Sequence, residues 1–304
     1  MLVFSTSDKG GAGRSVTSCN LAYRLCLSGK DAAYLDFTFG SPTAGALFEI
    51  DDVARGATSG GLHSYLLGGV GFPAGVDVPA MTDRAALRSS ASRSAKLVLF
   101  PGDEGGAELL TVNDDMVHRC ADLLSQLERT FEVVVVDLSA GRSAALELAL
   151  RATALPQLRA HTVRWLVFHR WSRQHILAAA GLVHGPNGLL RVGREWGHDA
   201  GCLLESVRYV RTAVPSVAAL SMMSHPAQAA WLAEQDAVLE RLASSNRLGA
   251  STLLGTTPVE PVLQWREQVI LDVDVDAHIA NPATADAFVE LAHRLLDDRT
   301  WESF

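Results

Sequence analysis

The sequence predicts a doubly wound α/β domain, a mostly parallel sheet with helices on both faces. Three observations predict it. Short apolar runs alternate with amphipathic stretches along all 304 residues, without an internal repeat. One run, Phe131–Asp137 with four successive valines, is apolar on both faces, as a strand inside a parallel sheet must be. And a glycine-rich turn, Ser7 to Ser18, stands between the first strand and the first helix, where such sheets place an anion-binding loop.

Taken in order, Leu2–Thr6 reads as a central strand and residues 15–28 as the helix that it feeds. Val16, Cys19, Tyr23, Cys26 and Leu27 form the apolar stripe of that helix, and Gly29 is its stop. Ala32–Asp36 is a second strand ending in an acid. Residues 54–95, rich in Gly, Ser and Ala, read as an insertion or mobile surface segment with one helical turn at Leu62–Leu67. Lys96–Phe100 is a strand, and Met116 to Leu127 carries a helix pattern. After Phe131–Asp137 come a helix over Ala144–Ala154, a strand over Val163–Phe168 and a helix over Ser172–Val183. His184–Gly201, with five glycines and a proline, reads as a loop. Leu203–Val210 is strand-like, but Glu205 and Arg208 make it a poor central strand. A long helix over Pro226–Ser244, a short strand over Ser251–Leu254 and a closing helix over Pro282–Leu296 follow, the last with Asn281 as N-cap. The whole of 1–304 reads as a single domain.

Composition narrows the function classes. No apolar run is long enough for a transmembrane helix, and Asp8 and Lys9 interrupt the first one too early for a signal peptide. The four cysteines have no metal or redox spacing, so free thiols in a reducing cytoplasm are expected. A net charge of −8 argues against non-specific nucleic-acid binding. Basic character is confined to Arg151–Arg211, which has nine arginines against three acids. There, either Trp165, Trp171 and Trp196 pack in the core beside solvated arginines, or the segment is a patch for nucleic acid or an acidic protein partner. The five histidines between 161 and 198 lack ligand spacing, so no metal cluster is expected from them.

The chemistry concentrates in Lys9-Gly10-Gly11-Ala12-Gly13-Arg14-Ser15. A strand before it and a helix after it are the context in which successive N–H groups cradle a phosphate. In such a loop the hydroxyl of Ser15 would sit on a magnesium ion. Arg14 stands where a lysine is usual, and a planar guanidinium binds as a fork where lysine acts as a point charge.

These residues resemble the ParA/MinD group of P-loop ATPases, whose deviant Walker A motif reads KGGxGK[ST]. The match is complete apart from Arg14, and a variant subfamily with KGGxGRS fits better still. The resemblance implies that Lys9 reaches across a homodimer interface to the partner's nucleotide. It implies that Gly10, Gly11, Ala12, Gly13, Arg14, Ser15 and Val16 hold ATP or ADP, with magnesium at Ser15, Asp36 and Asp137, partly through water. Val133–Asp137 followed by Leu-Ser-Ala-Gly resembles the Walker B strand and switch II, with Gly141 as its mobile turn. Leu254 to Pro261 resembles the segment along the adenine, which places Pro258, Val259 and Glu260 there; Asn281 to Leu291 resembles the family's last helix. The stretch to Phe304 is acidic, unlike the basic amphipathic tail with which MinD-type proteins hold a membrane, so no membrane docking is expected.

Three positions depart from the pattern. Besides Arg14, Thr38 stands where the family has the aspartate that orients the attacking water, and Val16 replaces a phosphate-contacting hydroxyl. Loss of one such contact commonly lowers turnover by about 10²–10³. The expectation is therefore a ParA/MinD-like nucleotide-binding switch that dimerises, recruits a partner and hydrolyses slowly or not at all. A scaffold that binds no nucleotide and a slow genuine ATPase are the alternatives. Arg142 is either a compensating charge or a surface arginine.

Overall fold

The computed structural model describes residues 1–91, 95–215 and 226–302. Part of the 54–95 segment and the last two residues of the tail therefore lie outside the described residues. Among those described, eight strands form one sheet: β1 (Leu2–Thr6), β2 (Ala32–Phe37), β3 (Val76–Asp77), β4 (Leu97–Phe100), β5 (Val133–Leu138), β6 (Val163–Arg170), β7 (Val207–Val214) and β8 (Leu253–Pro258). Their spatial order is β3-β4-β2-β5-β1-β6-β7-β8. All neighbours are parallel except β3 and β4.

The helices are α1 (Arg14–Leu27), α2 (Ala44–Leu47), α3 (Leu62–Leu66), α4 (Val78–Met81), α5 (Ala85–Ala91), α6 (Asp114–Glu128), α7 (Ala144–Ala154), α8 (Arg173–His184), α9 (Leu189–Glu195), α10 (Ala200–Glu205), α11 (Pro226–Ser245), α12 (Pro261–Trp265), α13 (Asp272–Asp276) and α14 (Pro282–Leu296). Successive strand residues alternate between two cores. Leu2, Phe4, Val134 and Val136 face the layer of α6, α7 and α8. Val3, Val133 and Val135 face α1 and α14. Each fully buried valine or leucine contributes about 1.5–3 kcal/mol relative to exposure. Both faces are apolar because both are covered. No described helix is long and apolar enough to cross a membrane.

The register brings the ends of three strands together: Ser5 lies beside Asp137, and Asp36 lies beside Asp137 on the other side. Those ends carry the polar residues on which the site is built.

Several elements differ from the sequence expectation. His184–Gly201 is not one loop, for it contains α9 and the start of α10. Gly193 is a contact residue there: a Cβ on it would lie 2.4 Å from a Leu203 methyl, so the glycine permits two short helices to approach closely. Leu203 belongs to α10, and the strand begins at Val207. That strand is interior, between β6 and β8, despite Arg208. The guanidinium is buried, donates to the carbonyls of Thr300, Glu205 and Val207, and lies 5.0 Å from the Trp301 ring centroid. β8 runs through Pro258, four residues beyond its expected end. The described part of 54–95 holds α3, β3, α4 and α5, with β3 closing one sheet edge.

Candidate functional site

The glycine-rich turn lies at the carboxyl end of β1 and opens α1. Gly11 and Gly13 have φ of +69° and +70°, the left-handed region that costs other residues about 1–2 kcal/mol. The Thr212 hydroxyl pins the turn to β7 by donating to Ala12 O at 2.6 Å. No side chain caps α1, and its first turn carries no acid. The N–H groups of Gly10, Gly11 and Gly13 through Val16 have no acceptor among the described residues. Such a row of donors at a helix N-terminus favours negative charge.

Arg14 does not extend along this row. Its side chain turns inward, where Nε donates to Asp137 Oδ1 at 2.5 Å, Nη1 to Ser7 Oγ at 3.2 Å and Nη2 to Ser15 Oγ at 3.3 Å. Arg14 is 9% exposed and Asp137 1%. A charge-assisted pair this buried costs several kcal/mol to break, because either partner alone is left desolvated. Ser15 and Asp137, two of the three residues expected at magnesium, thus both face a guanidinium.

The third, Asp36, holds its own turn together. Oδ1 accepts from the N–H and the hydroxyl of Thr38, and Oδ2 from the N–H groups of Thr43 and Ala44, each at 2.9 Å. Burial pushes its carboxyl up, more than the Thr38 hydroxyl and the Ala44 N–H pull it down. All four described donors to Asp36 come from residues 38–44. As arranged, Ser15, Asp36 and Asp137 do not fit a divalent ion. Thr38 offers its hydroxyl to Asp36 and to Ser41 O, and carries no charge with which to orient water.

Beside the loop lies a cleft of about 260 Å³. One wall is Gly11, Gly13, Val16 and Thr17; the other is Thr257, Pro258 and Glu260, with Trp265 at its edge. The loop and the Pro258–Glu260 segment, 250 residues apart in sequence, therefore share one concavity. Glu260 contributes its position more than its charge. Its carboxylate is 3% exposed and accepts from the N–H of Asn281 at 2.9 Å, the Asn281 amide at 3.0 Å and the Thr284 hydroxyl at 2.7 Å. Burial raises its pKa, but these donors together with the Val262 N–H hold it below the usual range. Asn281 stands at the N-cap position of α14 as expected, yet its side chain serves Glu260 and makes no cap bond. Val259 is exposed.

Lys9 and Arg170 supply positive charge at this end. Both are exposed and have no acidic partner among the described residues. They flank His175, whose pKa is lowered first by burial and then by those two charges. Arg170 also lines the cleft. Sequence reasoning did not single out Arg170, Thr212 or Trp265. For Arg170 a signal existed: it ends a parallel strand, where ligands of open α/β sheets collect.

Arg142 is a brace. Its guanidinium donates to Asp8 Oδ1 at 2.6 Å, Asn187 O at 3.0 Å and Gly181 O at 2.9 Å. In the arginine-rich segment, neither expected arrangement holds in full. Trp165 is buried and stacked on Phe4 at 4.6 Å, and Trp171 is 7% exposed. Trp196 is on the surface, beneath Arg151 at 4.5 Å. Yet Arg151, Arg164 and Arg211 are not solvated, since each is largely buried and paired with Asp114, Asp298 and Glu240 respectively. The four cysteines are free, three of them buried. Among the described residues no cluster of His, Cys, Asp and Glu could hold a metal.

No family model and no curated protein matches the sequence. Solved structures do match, at low identity. MinD of Aquifex aeolicus, a cell division protein, is similar at 17% identity with a TM-score of 0.62, over 100% of this chain and 98% of that one. A plasmid partition protein of Borrelia burgdorferi bound to AMPPNP matches at 12% identity and 0.59, over 97% of each chain. MinD of Pyrococcus horikoshii, complexed with Mg-ADP, matches at 14% and 0.52, over 98% and 97%. The fold is that of the MinD and ParA P-loop ATPases.

Proposed function

We propose that this chain is a nucleotide-binding switch of ParA/MinD type: it takes ATP or ADP in the cleft, pairs as a homodimer around it, and hydrolyses it slowly or not at all. The observation that carries the reading is the row of N–H groups of Gly10, Gly11 and Gly13 through Val16, without an acceptor among the described residues, beside a cleft lined by Gly11, Gly13 and Val16. Phosphates lie on those donors, with Lys9 and Arg170 meeting their charge. The base lies along Pro258–Glu260, and Trp265, 93% exposed at the edge, offers it an aromatic face. Relatives of this fold were solved with AMPPNP and with Mg-ADP, which supports a nucleotide. The magnesium is not carried over, because Ser15 and Asp137 face Arg14.

Lys9 is exposed and unpaired among the described residues, as a residue reaching a second copy must be. Slow or absent hydrolysis follows from Thr38, a neutral group where water needs a base or an orienting charge. Four free cysteines fit a reducing cytoplasm. A protein partner belongs to the reading, and Trp196, Leu177 and Leu204 are the exposed apolar residues that the arginine-rich segment offers it.

One observation favours the scaffold alternative: the Arg14–Asp137 pair satisfies the interior of the loop with no ligand. Calorimetric titration decides between them. Heat with ATP, ADP or AMPPNP, and a mass doubled by AMPPNP in light scattering that Lys9→Ala returns to the monomer, is the expected result. No heat at millimolar nucleotide leaves the scaffold standing.

A further inference from the structure

We infer that the Arg14 guanidinium takes the place of a divalent cation, so that the cleft holds a nucleoside polyphosphate without magnesium. This rests on the nucleotide-binding reading above and deepens it. A hard cation at a phosphate loop needs oxygen ligands with lone pairs turned toward it and little positive charge nearby. In the structure a guanidinium stands against two of the groups that would have to supply them. Asp137 Oδ1 is 2.5 Å from Arg14 Nε, and Ser15 Oγ is 3.3 Å from Nη2. The cation is already between the two groups that would bind one.

Nor does another carboxylate stand ready. Both oxygens of Asp36 accept from residues 38–44 of its own turn. Displacing Arg14 would leave its guanidinium, 9% exposed, with no other acidic partner among the described residues.

The same geometry leaves Arg14 able to act on phosphate. A guanidinium has five donors, and Arg14 spends three on protein: one each from Nε, Nη1 and Nη2. One N–H remains on each terminal nitrogen without an acceptor among the described residues, a free pair of the kind that guanidiniums use on phosphate. One function of the metal, bridging the loop interior to a phosphate oxygen, thus passes to a side chain. The polyphosphate charge falls to Lys9 and Arg170. A lysine at position 14 would be a single point charge, without the planar fork that joins Asp137, Ser7 and Ser15.

The test is calorimetric titration of the full chain with ATP, once in excess EDTA and once in excess magnesium. Affinities agreeing within about threefold are expected. An affinity that falls by about tenfold or more in EDTA overturns the inference while leaving nucleotide binding intact. No binding in either arm overturns nucleotide binding itself, and the inference with it. Arg14→Lys sharpens the result: magnesium should then tighten binding by about tenfold or more, and a variant as indifferent to the metal as the parent overturns the role of Arg14. Should Arg14→Lys fail to fold, Ser15→Ala serves instead. Its loss of affinity should be within about threefold in magnesium, and a loss of about tenfold confined to the magnesium arm overturns the inference.

Discussion

Two regions of this molecule are rich in positive charge and buried structure, and they treat it in opposite ways. In the arginine-rich segment Arg151, Arg164 and Arg211 are closed off: Arg211 donates to Glu240 and to Leu248 O and lies 4.1 Å from the Trp171 ring centroid. Arg164 likewise meets Asp298 and the Trp301 ring. At the glycine-rich turn the charges of Lys9 and Arg170 have no acidic partner, and a row of N–H donors no acceptor, among the described residues. Only Arg14 is paired, and it retains two donors. The difference teaches that charge density in a sequence does not tell which charges the fold leaves free. Nine arginines in one segment read in the sequence either as solvated side chains beside core tryptophans or as a patch, and the structure uses those described above to hold β6, β7 and their helices together.

The contrast can be broken at its strongest point by Asp137→Ala. It strands a buried guanidinium, and a loss of about 3–5 kcal/mol in urea unfolding is expected. Glu240→Ala removes a partner that is half exposed, from an arginine that keeps its carbonyl and its aromatic face. About 1 kcal/mol is expected there, and equal losses for the two variants would erase the distinction between the regions.

Acid should act on the closed region. Burial holds His169 at a pKa of about 4, against about 6.5 when unfolded. Its ring is 1% exposed, with Nδ1 near Arg170 O. The unfolded chain therefore binds the proton first as pH falls. The sign is a loss of stability below about pH 6.5 that saturates below about pH 4, and its size between pH 7 and 5 is about 2 kcal/mol. Unfolding curves of His169→Gln should lose that part of the slope; an unchanged slope would mean that the ring titrates normally.

In the open region a residue that holds the turn and one that only projects from it should differ. Gly13→Ala must adopt a φ of +70° and approach Thr212, whose Cβ would be 3.6 Å away, for a cost of about 1–2 kcal/mol. Lys9→Ala should stay within about 0.5 kcal/mol, because an exposed loop lysine holds nothing in place. A larger loss would show that Lys9 is a structural residue.

How legible all this was depended on the distance over which each group is satisfied. The parallel sheet could be read from Val133 to Val136, because burial on both faces writes itself into consecutive residues. The turn could be read too, since Gly11 and Gly13 answer a local demand for positive φ. The helix α9 could not: the glycines at 185, 188 and 193 look like a loop until Leu203 packs on Gly193. Nor could the fate of Glu260, whose partners Asn281 and Thr284 lie on the next long helix.

Sequence alone therefore determined the layered α/β plan and the glycine-rich turn with its positive φ angles, because periodicity and backbone conformation are properties of neighbours in the chain. Tertiary structure alone decided which way Arg14 faces. Its partner Asp137 is 123 residues away on β5, brought beside β1 only by the sheet register. The pairing of a buried charge is set by what the fold places within about 3 Å of it, and no local pattern encodes that.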